Sequence, residues 1–228
     1  MAKPRGGGRS LDAHALRRSI GREEFDYISL MEALRDYASP RDKVTDLLRR
    51  KDVVRVKKGL YVFGPEVRLH PYSLEILANT IYGPSYISME YALAHHGLIP
   101  EGVVEVTSAS LGRSKRFATP VGRFSYRPVP QRVFWMGVDR IELGHSGACL
   151  MATPEKALAD ALYLARRVRL TGQEDMRTYL VDSLRIEGAL LSSMNSKRIN
   201  AIADRYRSAR VSLLAETLPL FKREARRE

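Results

Sequence analysis

Eight basic side chains fall within twenty residues near the amino end: Arg41, Lys43, Arg49, Arg50, Lys51, Arg55, Lys57 and Lys58. Only Asp42, Asp46 and Asp52 oppose them, so residues 39–58 carry a net charge of +5. Cations at this density suit phosphates, whose neutralisation dominates affinity for nucleic acid. The spacing adds direction. Val44, Leu47 and Leu48 recur on one side of a helix over about 40–51, while Asp42, Thr45, Asp46, Arg49 and Arg50 project from the other. Arg41, Lys43, Lys57 and Lys58 are expected to hold phosphates. Thr45, Arg49 and Arg50 are expected to read base edges, arginine pairing bidentately with guanine. The competing reading is a solvated face, with Asp46 pairing Arg49 or Arg50 for ~0.3 kcal/mol each. Asp42 belongs in the first helical turn, where the dipole favours it. Asp46 could accept from a cytosine amino group or restrain an arginine.

A second basic zone, residues 110–132, holds Arg113, Lys115, Arg116, Arg123, Arg127 and Arg132 with no acid between them, a net of +6. Phe117, Phe124 and Tyr126 interleave with them. This offers a possible second nucleic-acid surface, RNA included, at Arg113, Lys115, Arg116 and Arg123, since single strands stack on aromatic rings. The alternative has the aromatic rings alternating into a core while the arginines face water.

Other chemistries find little support. His95 and His96 are adjacent, and neighbouring helical residues diverge by about 100° rather than converging on one ion. Glu155 with Asp160 evokes a nuclease carboxylate set, but a first-turn acid explains Glu155. Ser88 lacks a Gly-x-Ser-x-Gly context and is expected to cap a helix. The glycines at positions 6–8 lack the lysine and serine of a phosphate loop. No catalytic residue, metal ligand or cofactor is expected.

The basic residues need elements to position them. Residues 1 to about 10 read as a flexible basic arm and 11–22 as a short helix. Asp26 caps a helix carrying Ile28, Met31, Leu34 and Ala38. Ser39-Pro40 starts the next helix, proline suiting its first position. Val53-Val54-Arg55-Val56-Lys57 alternates as a strand, Lys58-Gly59 turns with a positive φ at the glycine, and Leu60–Phe63 returns. Helix, short turn, basic helix and basic hairpin are the order of a winged helix-turn-helix, which presents a helix to the major groove and a thin hairpin to phosphates or the minor groove.

Beyond residue 70 the pattern changes. A helix over Pro71–Tyr82, a second from Met89 to about His96 ending at Gly97, and a strand at 103–108 are expected. A hairpin at 115–127 turns around residues 120–122, and short strands are expected near 132–136 and 148–151. Thr153-Pro154-Glu155-Lys156 starts a further helix, and the chain after Gly172 reads as helical. The expected fold class is α+β: a winged helix-turn-helix, then a mixed α/β domain with a helical C-terminal part. The expected divisions are 1–24, 25–68 and 69–228.

Composition is consistent with this. The chain has 228 residues, 44% hydrophobic and 28% charged, enough apolar surface for a packed core. The net charge of +12 favours a polyanionic partner. One cysteine, Cys149, admits no internal disulfide and fits a reducing compartment. No apolar run approaches the ~20 residues that span a bilayer, and no secretory signal is read, so the cytoplasm is expected.

Several stretches together resemble a known family. The wing-like Val54–Phe63, the run Leu77–Leu93 containing Tyr82-Gly83-Pro84-Ser85-Tyr86-Ile87-Ser88-Met89-Glu90, and its continuation His96–Glu101 are three of them. Val106-Thr107-Ser108, Thr119–Tyr126 and Thr153-Pro154-Glu155-Lys156-Ala157-Leu158-Ala159-Asp160 complete the set. In this order, over roughly residues 25–165, they are similar to the AbiEi-type antitoxins of type IV toxin–antitoxin systems, winged-helix transcriptional regulators. The resemblance implies binding to double-stranded DNA at the protein's own promoter, repression of its operon and no catalytic residues. Two copies on repeated half-sites are expected for tight binding. The functional partner implied is a nucleotidyltransferase-like toxin, without stable direct binding to it. Arg55, Lys57 and Lys58 inherit the wing's contacts to DNA. The alternative reading is an RNA-directed binding protein or nuclease using residues 110–132.

Overall fold

A computed structural model describes residues 12–144, 147–165 and 167–226. The arm expected over residues 1 to about 10 lies outside the described residues. The chain is mixed α+β and divides into two compact units, the first comprising residues up to 73 with 119–121 and 144, the second the remainder.

The first unit runs α1 (Ala13–Ile20), β1 (Glu24–Asp26), α2 (Tyr27–Ala33), α3 (Pro40–Arg49), β2 (Val53–Lys57) and β3 (Leu60–Phe63). Asp12 caps α1 through the His14 N–H, and Gly21 ends it at φ +75°. Asp26 caps α2 as expected, accepting from the Ser29 N–H at 2.7 Å. That helix stops at Ala33, five residues short of the expected Ala38, in a succession of turns. Ser39 stands before α3 with Pro40 at the first position, but its side chain makes no capping bond.

The sheet order is β1-β3-β2, antiparallel throughout. Strand β1 was not expected from the sequence. It pairs Glu24 with Val62 and Asp26 with Leu60, making a three-stranded sheet of the expected hairpin. Leu16, Phe25, Leu30, Leu34, Val44, Leu47, Val53 and Phe63 form one core, so helix, sheet and hairpin bury a common apolar face. The short helix at the amino end thus belongs to this core through Leu16. Two carboxylates at the start of β1 hold the exit of the unit: Glu23, just before the strand, accepts from the Leu69 and His70 N–H groups and from Arg17, and Glu24 accepts from the Ser73 N–H.

The second unit carries a six-stranded mixed sheet in the order β6-β7-β5-β4-β9-β8. The strands are β4 (Ser85–Ile87), β5 (Glu105–Ser110), β6 (Lys115–Thr119), β7 (Gly122–Pro128), β8 (Val138–Glu142) and β9 (Ala148–Ala152). β5 runs parallel to β7 and β4 parallel to β9, whereas β4–β5 and β8–β9 are antiparallel. Helix α4 (Leu74–Ile81) packs on one face, where the Tyr126 hydroxyl donates to the Ala78 carbonyl at 2.6 Å. Helices α5 (Met89–His95) and α6 (Pro154–Leu164) pack on the other. Then come α7 (Gln173–Thr178), a π-helical turn at Tyr179–Ser183, α8 (Gly188–Ser193), α9 (Ser196–Tyr206) and α10 (Ala209–Glu224), the last two packing against α6. The strand expected near 132–136 is instead a 3₁₀ turn at Gln131–Val133, with the strand following at Val138–Glu142. Pro130 opens that turn, and the Val133 and Phe134 side chains are both buried, which alternation would not allow.

Candidate nucleic-acid interface

In α3 the apolar stripe is anchored by Val44 and Leu47, both in the core. The opposite face is therefore outward, and Arg41, Thr45 and Arg49 lie along it at four-residue spacing, all exposed. This face is not purely cationic. Asp42 and Asp46 share it, and Arg49 pairs with Asp46 at 2.9 Å, their side chains 77% and 46% exposed. A pair this wet contributes roughly 0–1 kcal/mol, so the guanidinium is released cheaply. Thr45 donates its hydroxyl to the Arg41 carbonyl at 3.2 Å, leaving its oxygen able to accept.

The structure does not bring every expected contact onto that face. Lys43 turns aside, its ammonium 5.6 Å from the Tyr37 ring centre. Arg50 closes the helix and pairs with Asp52 at 2.6 Å. Lys51 takes a left-handed backbone, φ 62°, between α3 and β2. Its carbonyl lies against Gly64, where a Cβ would stand only 1.9 Å from the oxygen. That close approach lets the sheet begin directly after the helix.

The hairpin shows Arg55 exposed and Val53 and Val56 buried on β2. The pairing shifts register between Arg55 and Lys57, where Arg55 stands opposite Tyr61 and Lys57 opposite Leu60. The bulge re-aims the last residues of the strand before the Lys58-Gly59 turn. Lys58 is exposed at the tip, and Gly59 has the positive φ expected, +86°. The Gly59 carbonyl accepts from the Tyr27 N–H at 3.0 Å, tying the turn to the start of α2.

The 110–132 zone does not form one surface. Arg123, Ser125 and Arg127 point to the same side of the sheet as Glu105 and Thr107, because β5 and β7 pair in register. Lys115 goes to the other side, its ammonium 4.9 Å from the Tyr82 ring, alongside Phe117. Arg116 approaches Glu105 at 3.9 Å with its side chain 80% exposed, and Arg113 lies exposed in the preceding loop. Arg132 is structural: it donates to the Arg205 and Tyr206 carbonyls at the end of α9. Phe124 and Tyr126 are buried, so the rings serve the core and not base stacking.

A polar cluster that the sequence did not announce lies in the second unit. Asp160 accepts from Tyr86 at 2.8 Å, Ser88 at 2.7 Å and Lys156 at 2.7 Å, and also from the Tyr206 hydroxyl. Lys156 and Asp160 are fully buried, and the lysine sits 4.7 Å from the Tyr206 ring centre. Burial lowers the Lys156 pKa against the opposing pull of Asp160, and burial also raises the Tyr86 and Tyr206 hydroxyls. Sealed from solvent, the cluster joins β4, α6 and α9. It also corrects the role of Ser88, whose hydroxyl donates to Asp160 and makes no capping bond to α5. Glu155 is likewise structural, accepting from the Asn195 N–H at 2.7 Å and from Arg198. His96 bonds through Nε2 to the Ala152 carbonyl at 2.8 Å. Among the described residues no group of three potential ligands could hold a metal ion, and no helix is long and apolar enough to cross a membrane.

No protein-family model matches the chain, and no curated protein matches it.

Proposed function

We propose that the first unit is a winged helix-turn-helix that binds double-stranded DNA, α3 entering the major groove and the β2–β3 hairpin serving as the wing. The order helix–strand–helix–helix–strand–strand, with β1 closing the sheet on β3, supports this reading. The observation that carries it is the division of α3: Val44 and Leu47 in the core, Arg41, Thr45 and Arg49 outward, with Lys58 exposed at the hairpin tip. Arg41, Lys57 and Lys58 neutralise phosphates, while Thr45 and Arg49 meet base edges. Arg50 and Lys43, turned toward Asp52 and Tyr37, contribute long-range charge.

The biological role proposed is that of a repressor acting on its own promoter in the cytoplasm, as the AbiEi resemblance implies. The associated proposal is antitoxin action on a nucleotidyltransferase-like toxin without stable binding to it. The rival reading through residues 110–132 loses support from the split of that zone between two faces.

The test is fluorescence anisotropy on duplex DNA taken from immediately upstream of the protein's own gene, over a range of salt. Lys58→Ala is expected to reduce the slope of log K against log salt by about 1, and Arg49→Ala to cost about 1–3 kcal/mol on that sequence with less loss on random DNA. Unchanged affinity and slope in both variants would refute the interface.

A further inference from the structure

The face of the six-stranded sheet that carries α5 also carries a cavity of about 380 Å³, open to solvent on one side and lined entirely by residues of the second unit. That volume falls in the range of small-molecule sites. Its helical wall is apolar, with Leu93 from α5 and Leu164 from α6, and Ile99 and Leu184 extend that surface. Its sheet wall is charged. Arg127 of β7 reaches it with an exposed side chain that has no hydrogen bond or ion pair among the described residues. Among the described residues Arg116 is held only by the 3.9 Å approach to Glu105. Glu90 of α5, exposed and without an ion pair among the described residues, supplies the opposite charge.

The balance of charge identifies the class of occupant. An adjoining hollow shares Glu90 and Glu105 and adds Glu101 and Arg123. Glu101 is paired with Arg185 and Arg116 approaches Glu105, which leaves Arg127 and Glu90 as the cavity-lining charges without an ion pair among the described residues, so a polyanion would gain from the one and be repelled by the other. A molecule bearing both charges satisfies both. An unpaired guanidinium offers the planar fork that a carboxylate takes bidentately, and the leucine-rich wall accepts an apolar body.

We propose that this cavity binds a small zwitterion with an apolar body, namely a free α-amino acid with an aliphatic or aromatic side chain. Its carboxylate pairs with Arg127, its ammonium lies against Glu90 or Glu105, and its side chain rests on Leu93 and Leu164. The site is independent of the DNA-binding reading, and its test contains no DNA, so either can fail without the other.

The experiment is calorimetric titration and thermal unfolding of the full chain with L-leucine and L-phenylalanine, alongside leucinamide and 4-methylpentanoate, which lack the carboxylate and the amine respectively. At least one amino acid is expected to bind and, at ten times its Kd, to raise the melting temperature by about 3–5 °C. Arg127→Ala, and Leu164→Trp filling the cavity, are expected to weaken binding tenfold or more, whereas Arg113→Ala outside it leaves binding unchanged. The two truncated probes are expected to bind at least tenfold more weakly than leucine. No binding by either amino acid at 10 mM, equal binding by a truncated probe, or binding that survives Arg127→Ala would overturn the proposal.

Discussion

At the scale of single residues, the outward face of α3 is a compromise between attraction and repulsion. Asp46 holds Arg49 at 2.9 Å, and in the proposed DNA complex it would also present a carboxylate to the approaching phosphates. Asp46→Asn removes the repulsion and frees the guanidinium. It is expected to tighten binding to random duplex DNA three- to tenfold and to steepen its salt dependence, measured by anisotropy. In the second unit the Lys156–Asp160 pair is buried completely. Asp160→Ala strands a lysine there and is expected to cost about 3–5 kcal/mol in denaturant unfolding of that unit. Glu155 gives a pH signature. Burial pushes its carboxyl up, but bonds from the Asn195 N–H and its own N–H, followed by Arg198, prevail and leave its pKa lowered from the usual 4.5. A lowered folded pKa gives stability that is present above 4.5 and lost as pH falls through the folded value. Glu155→Gln is therefore expected to be less stable than the parent protein at pH 7 and to converge with it in acid. These roles were only partly legible in the sequence. Thr153 before Pro154 signalled its cap, and its side chain does accept from the Lys156 N–H. Ser88 carried the same local signal, yet Asp160, seventy-two residues away, takes its hydroxyl. A cap is a local competition, and a buried carboxylate outbids it from a distance that spacing cannot report.

At the scale of elements, two glycines fix the path from α3 into the hairpin. Gly59 turns at φ +86°, and Gly64 lies so close to the Lys51 carbonyl that a methyl group cannot fit without backbone movement. Gly64→Ala is expected to destabilise the first unit by about 1–3 kcal/mol, with lower affinity for DNA at temperatures where the parent protein stays folded, measured by circular dichroism melting with parallel anisotropy. The hairpin was readable because β-branched alternation flanks a Lys-Gly turn. β1 and β4 were not, since three residues are too few to show a period of two. β1 exists because the edge of β3 offers its backbone hydrogen bonds, and β4 because β5 and β9 take them up on its two sides. The strand placed near 132–136 failed for the opposite reason. Val133 and Phe134 are buried in a turn that packs while Trp135 beside them is exposed, and the true edge strand β8 carries Asp139, Arg140 and Glu142, which conceal it while protecting the edge.

At the scale of the molecule, the mixture of parallel and antiparallel pairs in the second unit follows from partners distant in sequence, β4 meeting β9 more than sixty residues on. No periodicity encodes that pairing. Burial within this sheet also governs Cys149, whose thiol is pushed up to about 11, chiefly by desolvation and then by Glu75. Thiol reagents at pH 8 are therefore expected to modify the unfolded chain at least a hundredfold faster than the native one, followed by mass spectrometry. The net charge of +12 supplied the broad expectation of a polyanionic partner, but only the fold separates its parts. In the first unit Arg41 and Arg49 share an outward helix face and Arg55 and Lys58 lie exposed on the hairpin, while Lys43 and Arg50 turn to Tyr37 and Asp52. In the second they are divided between two sheet faces and balanced by glutamates. Amide hydrogen exchange on the full chain, with and without duplex DNA from upstream of its own gene, tests this division most directly. The account predicts slowed exchange over residues 40–60 on binding. Bound DNA that leaves residues 40–60 unchanged while protecting residues 110–132 would contradict it.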